Sequence, residues 1–478
     1  MSHAATLVVR ELEFGVRPVR LRLPFRFGAV TLQACPQLFA RVVIEVEGGL
    51  QAHGSAAEML VPKWFDKRID RSHADNVDDL LGSVQRAAQA YRSDKPASAF
   101  GLFARHYLPL MTAGQAEGAT ELSSAYGQAV IDRAVLDALC RARSVSFFDA
   151  VAANLIGMSD SAVAADMHGF VWDRWLAARQ PRRSVQARHT IGMLDELHAL
   201  RIGDDGLPVS LPAVIDRYGI EVFKIKLGGD VGADAQRLAE VLTVLDQHAP
   251  GHRYSLDGNE QYRDANALDA LFAQLRALPA FAQRPEALLY IEQPLPREAS
   301  LQSPVASDAA PAPLLMDEAD GTLDAFVRGA RLGWQGVSSK ACKGLYKSIL
   351  NRARCDVWNA TAVRDGQPPS YFMSAEDLTC QAGLSVQQDL ALLSLLGLTH
   401  TERNGHHYAD GFGDTPAGEQ QAFAAAHPDL YELASGRPRL RITGGRIDLD
   451  SLFAPGYAHG AEVDWSAMQP LSAATTLL

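Results

Sequence analysis

Residues 222–229 read VFKIKLGG, an apolar run that carries two lysines two positions apart and stops at a glycine pair. A period of two puts Lys224 and Lys226 on one face of a strand and Ile225 on the other. Alone, such a KxK marks an exposed edge strand. The neighbouring stretches change that reading. YSLDGNEQ (254–261), LYIEQPLP (289–296) and LLMDEADG (314–321) each end an apolar run on an acid, namely Asp257, Glu292 and Asp317, and VSSKACKG (337–344) adds Lys340. Successive members of that series lie 35, 25 and 23 positions apart. Each gap leaves room for one helix and one strand, the crossover that parallel strands require. An acid after a strand is also a common helix N-cap. Three in order between lysines read differently, because buried carboxylates need partners and three converging ones need a cation. All-oxygen ligation suits Mg²⁺. Glu318 is an alternative to Asp317 as third ligand, and Lys343 competes with Lys340. A lysine near a divalent cation and other lysines is expected to have a lowered pKa and to act as a base.

Working outward, the pattern alternates from about residue 185. VQARHTIGM, EVFKIKL, HRYSLDG, ALLYIEQ, PLLMDEA, GVSSKA, SYFMSAE and LGLTHTE are strand candidates, with helical patterns between them. Strands spaced by helices in this number predict a closed (β/α) barrel. Ahead of it lie β-rich TLVVRELEFGV and LFARVVIEVEG, then helical patterns over 75–91 and 120–142. The expected organisation is an α+β N-terminal domain (1–145), a barrel (146–437) and a C-terminal segment (438–478) that turns β-like and returns to the first domain. Insertions are expected at 159–184, 296–312 and 356–370.

The 478 residues suffice for a barrel and a second domain. A net charge of −11 weighs against nucleic-acid binding. Cys35, Cys140, Cys342, Cys355 and Cys380 are scattered, with no CxxC, so neither a disulfide framework nor a zinc knuckle is expected. A reducing cytoplasm follows. The N-terminus shows no secretory pattern, and no run approaches the roughly 18 apolar residues of a membrane span.

Other polar groups compete for roles. THTERNGHHYADG holds His400, Glu402, Arg403, His406 and His407, and reads as a polar surface loop or as a pocket-lining one. A second metal is disfavoured there, because adjacent histidines do not share a face. Glu376 and Asp377 sit near a strand end, either as helix N-cap residues or as substrate contacts. Phe25, Arg26 and Phe27 could cap a pocket, with Arg26 pairing to an anionic substrate, or could pack on their own domain. A metal-dependent hydrolase would want paired histidines on the first barrel strand, where ARHTIGM offers only His189. A non-catalytic binding scaffold is the other alternative.

Taken together, KxK (224–226), DGN (257–259), IEQP (291–294), DEA (317–319) and SSK (338–340) resemble the enolase superfamily, in its lysine-type mandelate racemase and muconate-lactonizing branches. LRLPFRFG and HGSAAEMLVP look like its two capping segments, and ITGGRIDLDSLFAPG like its returning tail. The resemblance implies one Mg²⁺ per site on Asp257, Glu292 and Asp317. It makes Lys226 the base on one face of the substrate, with Lys224 tuning the charge, and Lys340 the acid/base on the other face. Asn259, Arg26, Glu58 and Glu376 are its candidate substrate contacts. The implied reaction is removal of the proton α to a substrate carboxylate through an enediolate, then epimerisation, racemisation, β-elimination or cycloisomerisation. A small carboxylate-bearing substrate and a homo-oligomer complete the expectation.

Overall fold

The computed structural model describes residues 4–478 apart from 29, 93–94, 306–309, 379–380 and 459. Cys380, the end of SAEDLT and parts of the 296–312 loop and of the capping hairpin therefore lie outside the described residues. The chain opens on a long antiparallel meander of β1 (Leu7–Phe27), β2 (Val30–Val46) and β3 (Gln51–Met59). Three helices follow, α1 (His73–Arg92), α2 (Ala99–Ala116) and α3 (Glu121–Arg143). Helix α3 is capped by Thr120, whose side chain accepts from Ser123 N, and nearly all of it is buried. Gly54 lets α3 lie against β3, because a Cβ there would overlap Ala134 O and Ala138 N of the helix. The sequence reading had missed α2. Its glycines and interior Pro109 obscure a helix that Ser98 caps and tertiary packing holds.

Eight strands then form a closed parallel barrel: β4 (Ser184–Ile191), β5 (Val222–Lys226), β6 (Arg253–Asp257), β7 (Leu288–Glu292), β8 (Leu314–Met316), β9 (Gly336–Ser339), β10 (Phe372–Ala375) and β11 (His400–Glu402). Each neighbours the next in chain order, and β11 closes on β4 with Thr401 opposite Ala187. All eight strand candidates are realised. They were readable because strands of a parallel barrel are buried on both faces and so become continuous apolar runs. The segment 159–184, expected as an insertion, carries two short helical turns and buries Trp172, while Asp166 bonds Arg354 of the barrel layer. The helix Leu345–Arg364 runs well into the expected 356–370 insertion.

Past the barrel, β12 (Tyr431–Ala434) and β13 (Arg437–Leu440) form a hairpin, and β14 (Arg446–Asp448) adds antiparallel to β4. Beyond it the tail reaches the first domain, where Val16 and Gln469 exchange backbone hydrogen bonds at 2.9 and 3.0 Å. Cys35, Cys140, Cys342 and Cys355 are free and buried. Among the described residues, no helix is long and apolar enough to cross a membrane.

Candidate active site

The site is a ring of strand ends. Lys226, Asp257 and Glu292 are register partners at the last residues of β5, β6 and β7. Asp317 follows β8, Lys340 follows β9, Glu376 follows β10, and Glu402 ends β11. β5 and β9 stand four strands apart in a ring of eight, so Lys226 and Lys340 face each other from opposite walls.

A buried ion network links these groups. Lys224 Nζ lies 2.9 Å from Asp257, 2.8 Å from Glu292, 2.9 Å from Glu376 and 3.1 Å from Glu402. Lys226 Nζ donates to Asp257 Oδ2 at 2.6 Å and Asn259 Oδ1 at 2.8 Å. Lys340 Nζ donates to Asp317 Oδ2 at 2.7 Å. Lys343, the competing lysine, donates to Ser338 Oγ at 2.6 Å, Asp320 at 3.1 Å and the Asp317 carbonyl at 3.2 Å, and lies farther from the Asp317 carboxylate, at 3.4 Å. Glu318 points away from Asp317's partners, toward Lys67 at 3.1 Å and Asn259 Nδ2 at 3.2 Å.

Charge sets the proton affinities. Burial would raise Asp257 and Asp317, but the neighbouring lysines outweigh it and hold both carboxyls low. Glu292 goes the other way: burial, then Asp257 and Glu376, push it well up. Burial would lower Lys224 and Lys340, yet the carboxylates outweigh it and both rise. Without a divalent cation, each ammonium here is a counter-ion to the acids.

The residues fit a divalent cation. Glu292 Oε2 is buried with no hydrogen-bond partner among the described residues, in a ring of carboxylates whose donors are all oxygen, the set that hard cations take. Glu318 Oε2 is likewise unpartnered. Gln293, which sequence reasoning passed over, positions Asp317: its Oε1 accepts from the backbone N of Asp317 at 2.9 Å and of Ala319 at 3.0 Å.

The first domain roofs the ring. Phe25, Phe27 and Leu32 from the β1–β2 hairpin, with Val61 and Trp64 after β3, close a cavity of about 20 Å³ over Lys224, Lys226, Lys340, Asn259, Asp377 and Glu402. The Trp64 ring lies 4.2 Å from Lys340 Nζ and the Phe25 ring 5.8 Å from Lys226 Nζ, within cation–π range. Trp64 and Lys67 were not singled out in the sequence, since their contacts cross roughly 200 or more residues and leave no local pattern.

Three expected substrate contacts lie elsewhere. Arg26 is exposed, because alternation along β1 turns Phe25 and Phe27 inward and Arg26 outward. Glu58 is buried against α3, where Arg133 holds it at 2.9 Å, and burial raises its carboxyl to about 7 despite that partner. Glu376 is committed to Arg188, Tyr290 and Lys224 beneath the cavity. Asn259 does line the cavity. The 400–407 stretch is no surface loop, since Glu402, Arg403, His406 and His407 are all buried.

No family model matches the chain, and no curated protein matches it. Solved structures do. An enolase from Bradyrhizobium complexed with magnesium and mandelic acid aligns at 16% identity over 98% of each chain, with a TM-score of 0.59. Muconate lactonizing enzyme from Pseudomonas fluorescens, complexed with muconolactone, aligns at 14% identity over 97% of this chain and 98% of that one, TM-score 0.57. A dipeptide epimerase from Enterococcus faecalis, complexed with Mg and L-Leu-L-Tyr, aligns at 12% identity over 94% and 99%, TM-score 0.57. The closed barrel, its antiparallel cap and these full-length superpositions show that the chain has the fold of the enolase superfamily.

Proposed function

We propose that the protein is an isomerase or lyase of enolase-superfamily type, which removes the proton α to the carboxylate of a small substrate. The observation that carries this reading is the pair of lysines, Lys226 and Lys340, projecting from opposite walls into one roofed cavity. Asp257, Glu292 and Asp317 would hold one Mg²⁺, whose charge offsets the negative charge that grows on the substrate carboxylate.

Lys226 accepts the proton. Asp257 and Asn259 fix the position of its Nζ, and Phe25 and Phe27 keep bulk water from it. Lys224 spreads one positive charge over four carboxylates and so keeps a dense anionic ring folded. Lys340 stands across the cavity. It delivers a proton to the opposite face in an epimerisation or racemisation, or assists a departing β-group in an elimination or cycloisomerisation. The mostly apolar roof favours a substrate with a compact apolar group. His189, the histidine a metal-dependent hydrolase would need, lies between two inward-facing neighbours and faces out of the barrel. A cytoplasmic homo-oligomer remains part of the proposal.

The test is exchange with deuterated water. With Mg²⁺ and a library of small carboxylic acids and dipeptides, at least one compound should gain deuterium at its α-carbon, read by NMR. Lys226→Ala should abolish exchange on one face and Lys340→Ala alter it on the other. No exchange across the library, or full exchange by Lys226→Ala, would sink the assignment.

A further inference from the structure

Behind the first barrel strand, three histidines gather beside a carboxylate. Along β4, Arg188 and Thr190 turn into the barrel, where they bond Glu376 and Glu402. His189 between them therefore points outward. There it meets the short helix Gly405–Tyr408 that follows β11. The rings of His189 and His407 lie 5.1 Å apart at 87°, and His189 Nδ1 is 3.2 Å from His406 Nε2. One ring nitrogen of His189, one of His407 and one oxygen of Asp195 all lie within 4.8 Å of one another.

The cluster is short of positive charge. Asp195 accepts from Tyr408 Oη at 2.7 Å and from Gly192 N at 2.8 Å. Among the described residues, no lysine or arginine forms an ion pair with it. Burial raises the Asp195 carboxyl, Arg237 only partly offsets that, and the Arg237 guanidinium donates to the Gly192 carbonyl. His407 is 2% exposed, and its Nδ1 is buried with no hydrogen-bond partner among the described residues. Burial holds His189 and His407 well below the ordinary histidine range, so both present neutral, ligating rings. A carboxylate that burial penalises and no ion pair relieves, and an unpartnered imidazole nitrogen beside it, are both satisfied by a metal ion. Two nitrogens and one oxygen select zinc over magnesium.

We propose that His189, Asp195 and His407 form a zinc site, separate from the carboxylate ring inside the barrel. Adjacent histidines cannot both reach one ion from a helix face, and only His407 of the pair is needed. His406 bonds the His189 ring from the side and sets its orientation, as outer partners of metal ligands do. The ion would tie β4 and the loop after it to the segment under the cap, where the Tyr408 ring lies 4.6 Å from Phe25 and the His407 carbonyl accepts from Arg22. Its role is to brace the roof of the cavity.

The test uses full-length, tag-free protein stripped with a chelator and titrated with Co²⁺. One equivalent should give the visible absorption of tetrahedral Co²⁺, which Zn²⁺ bleaches and Mg²⁺ does not. The band should vanish in His407→Gln and persist in Asp257→Asn. Asp195→Asn, which keeps the shape and a hydrogen-bond acceptor, serves if His407→Gln does not fold, and should lose the band as well. Absence of a tetrahedral band, or its persistence in both variants at this site, overturns the proposal.

Discussion

Lys224→Met removes the hub of the buried network. Arg188, Lys226 and Lys340 remain, paired to Glu376, Asp257 and Asp317. Among the described residues, the Glu292 side chain then keeps no partner, because Lys224 is the one that hydrogen-bonds it and its other oxygen is already unpartnered. Breaking a buried pair by deleting one member costs about 3–5 kcal/mol, and that is the expected loss at pH 7 without divalent cation. Glu292 already has a raised carboxyl. A folded pKa above the unfolded one penalises folding at pH above the unfolded value, and the penalty fades as pH falls toward it. The deficit should therefore shrink in mild acid. Mg²⁺ should also repair it: binding at a hundredfold excess over Kd stabilises by about 2.7 kcal/mol. The wild type, whose ammonium already neutralises those oxygens, should gain less than the variant. Urea denaturation of both proteins, with and without Mg²⁺, reads all of this. A variant within about 1 kcal/mol of wild type without cation, or one that Mg²⁺ does not rescue, refutes the account of Lys224 as counter-ion.

Three further outcomes are expected. Gln293→Met frees the strand end that carries Asp317; Mg²⁺ affinity by calorimetry should fall roughly 10–100-fold, and an unchanged Kd counts against the role. Gly54→Ala forces β3 and α3 apart and should cost about 1–3 kcal/mol in a urea titration; wild-type stability would show that the approach is looser than described. Burial lowers Lys347 to about 8, against the opposing pull of Asp320. With a folded pKa below the unfolded one, the charged lysine burdens the fold at neutral pH, and that burden lifts between pH 8 and 10.5, by about 3 kcal/mol. The stability difference between wild type and Lys347→Met should narrow across that window; a constant difference refutes it.

Much of this architecture was legible in the sequence, for identifiable reasons. Barrel strands buried on both faces became unbroken apolar runs, and their ends announced themselves as acids and lysines at crossover spacing. Arg26 was misjudged although the information was present: the alternation that turns Phe25 and Phe27 to the cavity turns Arg26 away. Glu402 and the histidines after it looked like a surface loop because polarity normally marks exposure. Their partners, such as Lys224 for Glu402 and His189 for His406, come from strands roughly 200 residues away, which no local pattern reveals. Trp64 and Lys67 are invisible for the same reason, whereas Gln293 stands within IEQP but shows its role only through Asp317 and Ala319 on the next strand end.

The backbone pairing of Val16 with Gln469 joins two points separated by most of the chain. On the ribosome, at about 5–20 residues per second, the first strands would wait on the order of half a minute for that closing segment, while the barrel forms between them. The roof over the cavity is thus begun first and finished last. A nascent chain carries its lysines and carboxylates before its lid is anchored.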